Sequence, residues 1–115
     1  MAYLALIVED VVINKWEITD EVVIIGRAKD CDIQIDDQSV SSKHARVVVE
    51  ADPYLEGASV YFLEDLKSTN GTELNGKKVK REKIMDSDML KIGFNQFRFV
   101  SGQHNPLEET AVIVN

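Results

Sequence analysis

Four short polar clusters hold the side chains with the most chemical capacity: Gly26-Arg27, Ser41-Ser42-Lys43-His44, Ser68-Thr69-Asn70-Gly71 and Asn75-Gly76. Together they supply a guanidinium, an ammonium, several hydroxyls and carboxamides. A guanidinium gives paired, charge-assisted hydrogen bonds to phosphate oxygens. Hydroxyls add single donors, and a carboxamide both donates to and accepts from an extended peptide backbone. This set suits recognition of a phosphorylated peptide better than bond breaking. Nucleophilic catalysis at Ser41 would need a base aimed at its hydroxyl and an oxyanion site. His44 follows three residues later, but no nucleophile elbow surrounds the pair. With His104 the only other histidine and Cys31 the only cysteine, no clustered metal-ligand pattern emerges. No cluster is a nucleotide motif, so no cofactor is expected. On residue type alone, Arg27 reads equally well as a surface arginine paired with Asp32 or Asp36.

The elements that must position these clusters are short. Residues 4–8, 11–18, 22–25, 33–35, 44–49, 60–63, 89–92 and 96–100 are apolar or alternating runs rich in Val and Ile. Such runs read as strands. Asp20-Glu21, Asp52-Pro53, Gly57, Asn70-Gly71 and Asn75-Gly76 punctuate them, the two Asn-Gly pairs as turn dipeptides suited to positive φ. No helical apolar period is sustained over a dozen residues. Many short strands with frequent turns predict an all-β sandwich or barrel, its loops gathered at the ends. Phe97 and Phe99 share one strand face, as a core pair would. Trp16 and Phe94 read as core or rim packing, and Cys31 as a small, partly buried residue.

Composition narrows the classes further. One domain is the natural count for 115 residues, and 44% apolar content suffices for one core. No apolar run approaches the ~20 residues that span a bilayer, and the start lacks the basic stretch of a signal peptide. No membrane partner and a cytoplasmic setting are therefore expected. A net charge of −7 argues against a nucleic-acid partner. The exception is local: Lys77, Lys78, Lys80, Arg81 and Lys83 fall within seven residues. They read as a solvated rim or as an anion-attracting one.

At these motifs the chain resembles the forkhead-associated (FHA) domain family over roughly residues 22–100. The resemblance is carried by VVIIGRAKDCDIQIDDQSVSSKHARVVV, then LEDLKSTNGTELNGKKV, then DSDMLKIG. Each piece alone is weak, but their order and spacing are specific. The resemblance implies an eleven-stranded β-sandwich of two mostly antiparallel sheets. It also implies a non-enzymatic module that binds phosphothreonine in a partner protein, with a Ser/Thr kinase upstream. By the same likeness Arg27, Ser41 and Thr69 contact phosphate, while the Asn70 carboxamide holds the peptide backbone. Ser42 stands where many family members carry Arg or Asn; it reaches less far, and Lys43 is the residue that would compensate. Gly26, His44, Gly71 and Asn75 are expected to support the site, His44 by bracing the binding loops.

The strand pattern stops at Ser101. Residues 1–100 are thus expected to form the binding domain, and residues 101–115 a flexible tail. Within that tail Thr110 follows Glu108-Glu109 and is a candidate phosphosite, open to self-recognition by its own or another copy. The competing class is a phosphate-independent interaction or homodimerisation module using an exposed strand edge.

Overall fold

The computed structural model describes residues 2–101. Eleven strands are present: β1 (Tyr3–Val8), β2 (Val11–Glu17), β3 (Val22–Gly26), β4 (Ile33–Gln34), β5 (Ala45–Ala51), β6 (Ser59–Asp65), β7 (Thr72–Leu74), β8 (Lys77–Lys78), β9 (Arg81–Ile84), β10 (Met89–Ile92) and β11 (Asn95–Val100). They form a six-stranded sheet in the order β2-β1-β11-β10-β7-β8 and a five-stranded sheet in the order β4-β3-β5-β6-β9. All pairings are antiparallel except β3 with β4. No helix among the described residues is long and apolar enough to cross a membrane. The predicted tail and Thr110 lie outside the described residues.

Period-two burial explains why these runs pair. On β5, Ala45 and Val47 are fully buried, as are Leu63 on β6, Ile25 on β3, Leu90 and Ile92 on β10, and Phe97 and Phe99 on β11. Successive strand residues face opposite sides, so these residues form two inner faces that meet as one core. The Tyr61 ring of one sheet lies 5.0 Å from the Phe99 ring of the other. Trp16 reaches the same core from β2, 6.0 Å from Phe97. Truncating a buried phenylalanine of this kind to alanine costs about 3–5 kcal/mol.

Three strands escape the sequence reading. β7, β8 and β9 have three, two and four residues and carry Lys, Arg and Glu. Nothing local marks them. β7 and β9 are strands because β10 and β6 offer them ladders, with Ile92 opposite Thr72 and Leu63 opposite Glu82, and β8 pairs in turn with β7, Lys77 opposite Leu74.

Register places the functional loops. Ile25 at the end of β3 pairs with Ala45 at the start of β5, and Ala45 pairs with Asp65 at the end of β6. In the other sheet Ile92 pairs with both Thr72 and Asn95. The 26–28, 36–43, 66–71 and 93–94 connections therefore converge on one end of the sandwich.

Candidate functional site

The 36–43 loop is the hub of that end. The Arg27 and Ala28 N–H groups donate to the Ser41 and Ser42 carbonyls at 3.0 and 3.2 Å. The thiol of buried Cys31 donates to the same Ser42 carbonyl at 3.2 Å, and burial raises its pKa. A Cβ on Gly26 would lie 2.2 Å from that oxygen. Only glycine lets β3 pass this close to the loop.

His44 fastens the hub to the 66–71 loop. Its side chain is fully buried. The Ser41 N–H donates to Nδ1 at 3.0 Å, so Nδ1 is the acceptor and Nε2 carries the proton given to the Gly71 carbonyl 2.8 Å away. Neither nitrogen faces the Ser41 hydroxyl as a base. The Ser41 N–H is committed to His44, which leaves the Ser41 hydroxyl as the group that can meet a phosphate. Two more bonds join these loops: the Thr69 N–H donates to Ser41 Oγ at 3.0 Å, and Asn70 Nδ2 to the Ser39 carbonyl at 2.8 Å.

The 66–71 loop is shaped from below by Asp65. Its carboxylate accepts from the hydroxyls of Ser68 at 2.5 Å and Thr72 at 2.7 Å. Ser68 Oγ in turn accepts the Gly71 N–H at 2.9 Å. Burial alone would raise the Asp65 carboxyl, but the Ser68 and Thr72 bonds outweigh it and hold the pKa below the usual value. Asp37 does the same for the hub. It accepts from the Ser39 N–H, the Asn95 amide and the Ser39 hydroxyl, and its pKa is lowered by those bonds in that order.

These loops leave a shallow depression of about 300 Å³ lined by Arg27, Gln38, Ser39, Val40, Ser41, Ser42, Thr69 and Asn70. Five of the six predicted contact residues thus come together. Lys43 does not line the depression: its ammonium lies 2.6 Å from Asp30, and this pairing raises the Lys43 pKa and lowers that of Asp30. Arg27 is the one charged residue of the lining, and its guanidinium has no protein partner among the described residues. Neither Asp32 nor Asp36 pairs with it; Asp32 accepts the Ile24 N–H instead. The Ser41 hydroxyl uses one acceptor site on Thr69 and keeps its O–H to donate. Among the described residues the Thr69 hydroxyl has no partner, and Asn70 keeps its side-chain carbonyl and one amide hydrogen.

Gly71 has φ +85°, a left-handed conformation that favours glycine. Asn75 holds a different part of the fold from the one expected. It lies at the far end of β7, where its amide donates to Asp88 at 3.0 Å and its carbonyl accepts the Met89 N–H at 2.9 Å. It fastens the β7–β8 turn to β10 and does not touch the 66–71 loop.

Sequence reasoning passed over Ser39, Asp37, Asp65 and Gln38. Ser39 is 7% exposed and joins three loops. The signals were present as spacings, Asp37-x-Ser39 and Asp65-x-x-Ser68, at which an aspartate bonds a backbone N–H just ahead of it.

The FHA domain model matches residues 23–93. The chain belongs to the forkhead-associated domain family. It is 32% identical over 73 residues to the FHA domain-containing protein FhaA of Mycobacterium tuberculosis, covering 64% of this chain and 12% of that protein. It is 38% identical over 79 residues to the probable serine/threonine-protein kinase fhkA of Dictyostelium discoideum, covering 64% of this chain and 13% of that protein. The chain therefore spans about an eighth of the length of these two relatives. A solved structure from a study of phosphothreonine-dependent FHA domain interactions superposes with a TM-score of 0.73 at 26% identity, over 90% of this chain and 98% of that one.

Proposed function

We propose that this FHA domain is a phosphothreonine-dependent peptide-binding module acting in Ser/Thr kinase signalling, and that it works by binding and not by catalysis. One observation carries this reading. On a chain of net charge −7, the depression holds a single charged side chain, Arg27, and that cation has no partner in the described fold. An unpaired guanidinium among hydroxyls and amides is a site for a compact anion. The FHA domains of the solved relative interact in a phosphothreonine-dependent way, and one sequence relative is a probable serine/threonine kinase.

In this reading Arg27 takes the phosphate oxygens, with the hydroxyls of Ser41, Ser42 and Thr69 around them. The free part of the Asn70 carboxamide takes the peptide backbone. Gly26, His44 and Gly71 hold the loops in place. Lys43, tied to Asp30, adds only long-range attraction. Residues 1–100 form the binding unit and residues 101–115 the tail. Each net hydrogen bond to a charged group is worth about 1.5–3 kcal/mol, so three or four approach the roughly 8 kcal/mol of a micromolar complex.

Titration with a phosphothreonine peptide library and its unphosphorylated counterpart tests this. The phosphorylated set is expected to bind at least about tenfold more tightly. Binding should also weaken below about pH 6, as the phosphate dianion is lost. Equal curves for the two sets would refute the reading.

A further inference from the structure

The β1–β2 hairpin carries a cluster of exposed aliphatic side chains. Of the nine large hydrophobic residues exposed in the described chain, four lie here: Val8 at 49%, Val11 at 59%, Val12 at 48% and Ile13 at 57%. Three of them begin β2, the outer strand of the six-stranded sheet, whose one partner among the described residues is β1. Its free side offers unpaired backbone N–H and C=O groups beside aliphatic side chains, a template for a further strand. Edge strands are ordinarily blunted by charge or proline. Residues 11–14 carry neither. One irregularity interrupts them, a bulge at Ile13, where the register passes from Leu6 opposite Asn14 to Ile7 opposite Val12. At Lys15 the edge turns cationic. That ammonium lies 5.1 Å from the Tyr3 ring centroid, and no carboxylate pairs with it among the described residues.

The sequence beyond residue 101 matches this edge. β11 is antiparallel to β1 and β1 to β2, so β11 runs parallel to β2, and Val100 lies level with Tyr3 and Glu17. A chain that reverses just after β11 and returns along β2 is therefore antiparallel to it. Gly102 and Asn105-Pro106 are residue types that permit such a reversal. The free side of β2 lies about 14 Å from β11, three strand spacings. Ser101 is still fastened, its N–H donating to Asp86 at 2.8 Å, and the steps from there to Leu107 span up to about 20 Å. We propose that residues 107–113 add to the free edge of β2 as a further antiparallel strand. With Glu109 opposite Lys15, Thr110 stands opposite Asn14, Ala111 at the bulge beside Ile13, Val112 opposite Val12 and Ile113 opposite Val11. One register thus joins an acid to the unpaired cation and an aliphatic run to an aliphatic run. A slip of one residue either way loses the charge pair or sets Thr110 against Ile13. Thr110, the candidate phosphosite, is then held on the sheet edge and not in the depression.

This inference stands apart from the phosphothreonine reading. Amide hydrogen exchange of the labelled 115-residue chain, followed by NMR at low and at high protein concentration, tests it. The amides of residues 109–113, and those of β2 that do not bond β1, should exchange at least about tenfold more slowly than in Val112→Asp. Lys15→Glu should lose about two- to fivefold of this protection, and the charge swap Lys15→Glu with Glu109→Lys should regain it. Core amides such as those of Leu63 and Phe97 should exchange alike in all variants, which shows the fold intact. Protection should not vary with concentration. Unprotected amides at 109–113 in the wild type overturn the proposal. Protection unmoved by Val112→Asp, or a charge swap that fails to restore what Lys15→Glu removed, does the same. Protection that rises with concentration, together with a dimer mass in sedimentation, assigns the edge to a second copy and overturns pairing within one chain.

Discussion

The two Asn-Gly pairs of this chain, five residues apart, do opposite work. At Asn75-Gly76 both residues have positive φ, 51° and 85°, the geometry of a tight two-residue hairpin turn. Asn75 is committed to the scaffold: its backbone N–H donates to the Met89 carbonyl at 2.7 Å, its side-chain amide donates to Asp88 and its side-chain carbonyl accepts the Met89 N–H. At Asn70-Gly71 only the glycine has positive φ, and no hairpin forms. The backbone is held there by two distant side chains, His44 and Ser41, and by Ser68 within the loop. Asn70 uses one amide hydrogen on Ser39 and presents the rest to the depression. Spare hydrogen-bonding capacity on a braced loop distinguishes a recognition residue from a structural one of the same type.

The arginines repeat the contrast. Arg81 is held by Glu64 and Glu50 and lies over the Phe62 ring, 4.2 Å from its centroid. Arg27 has no such partners among the described residues. Arg27→Ala should therefore give the largest change in function, a loss of about 100-fold or more in phosphothreonine-peptide affinity. Its denaturation midpoint should stay close to wild type. Arg81→Ala, assayed beside it, should leave affinity within about twofold. A similar loss in both would erase the distinction.

The two asparagines sharpen it. Asn70→Ala is expected to weaken peptide binding by about tenfold, measured by calorimetry, with a small effect on stability. Asn75→Ala should do the reverse. It removes two side-chain bonds and puts alanine at φ 51°, costing about 1–2 kcal/mol in urea denaturation, while affinity changes less than about twofold.

The smallest effect expected is in acid. The Asp65 carboxyl is held below its usual pKa in the folded chain. Its contribution is therefore fully present above the unfolded value, about 3.9, and is lost as pH falls through the folded value. The stability difference between wild type and Asp65→Asn should be greatest near neutral pH and narrow below about pH 4. A gap that widens in acid would mean that the carboxylate opposes the loop geometry.

The long strands and the core were legible because burial imposes a period of two on residues such as Val23 and Ile25 or Phe97 and Phe99. The site loops were legible for the opposite reason. Arg27, Ser41, Thr69 and Asn70 are polar residues at strand ends, where alternation stops. The strands β7 to β9 were not legible, because their own residues carry no apolar pattern and their pairing is decided by neighbours, β10 for β7, β7 for β8 and β6 for β9. Nor could spacing show that Lys43 spends its charge on Asp30, that Asn75 serves the opposite end of β7, or that His44 occupies the Ser41 N–H. Each of these depends on contacts between loops far apart in sequence. Phe94 shows the limit from the other side. Composition assigns an aromatic residue to core or rim, while the bonds of its own N–H to Ser39 and of the Asn95 amide to Asp37 fasten the β10–β11 turn and the ring is left 73% exposed.

The most direct test follows backbone amide shifts of the labelled domain during titration with a phosphothreonine peptide, and with the same peptide bearing unmodified threonine. The account predicts phosphate-dependent shifts at Arg27, Ser41, Thr69 and Asn70, with Asn75 and the β7–β8 turn still. Identical shifts with both peptides, or changes centred away from the 26–28, 36–43 and 66–71 loops, would contradict it.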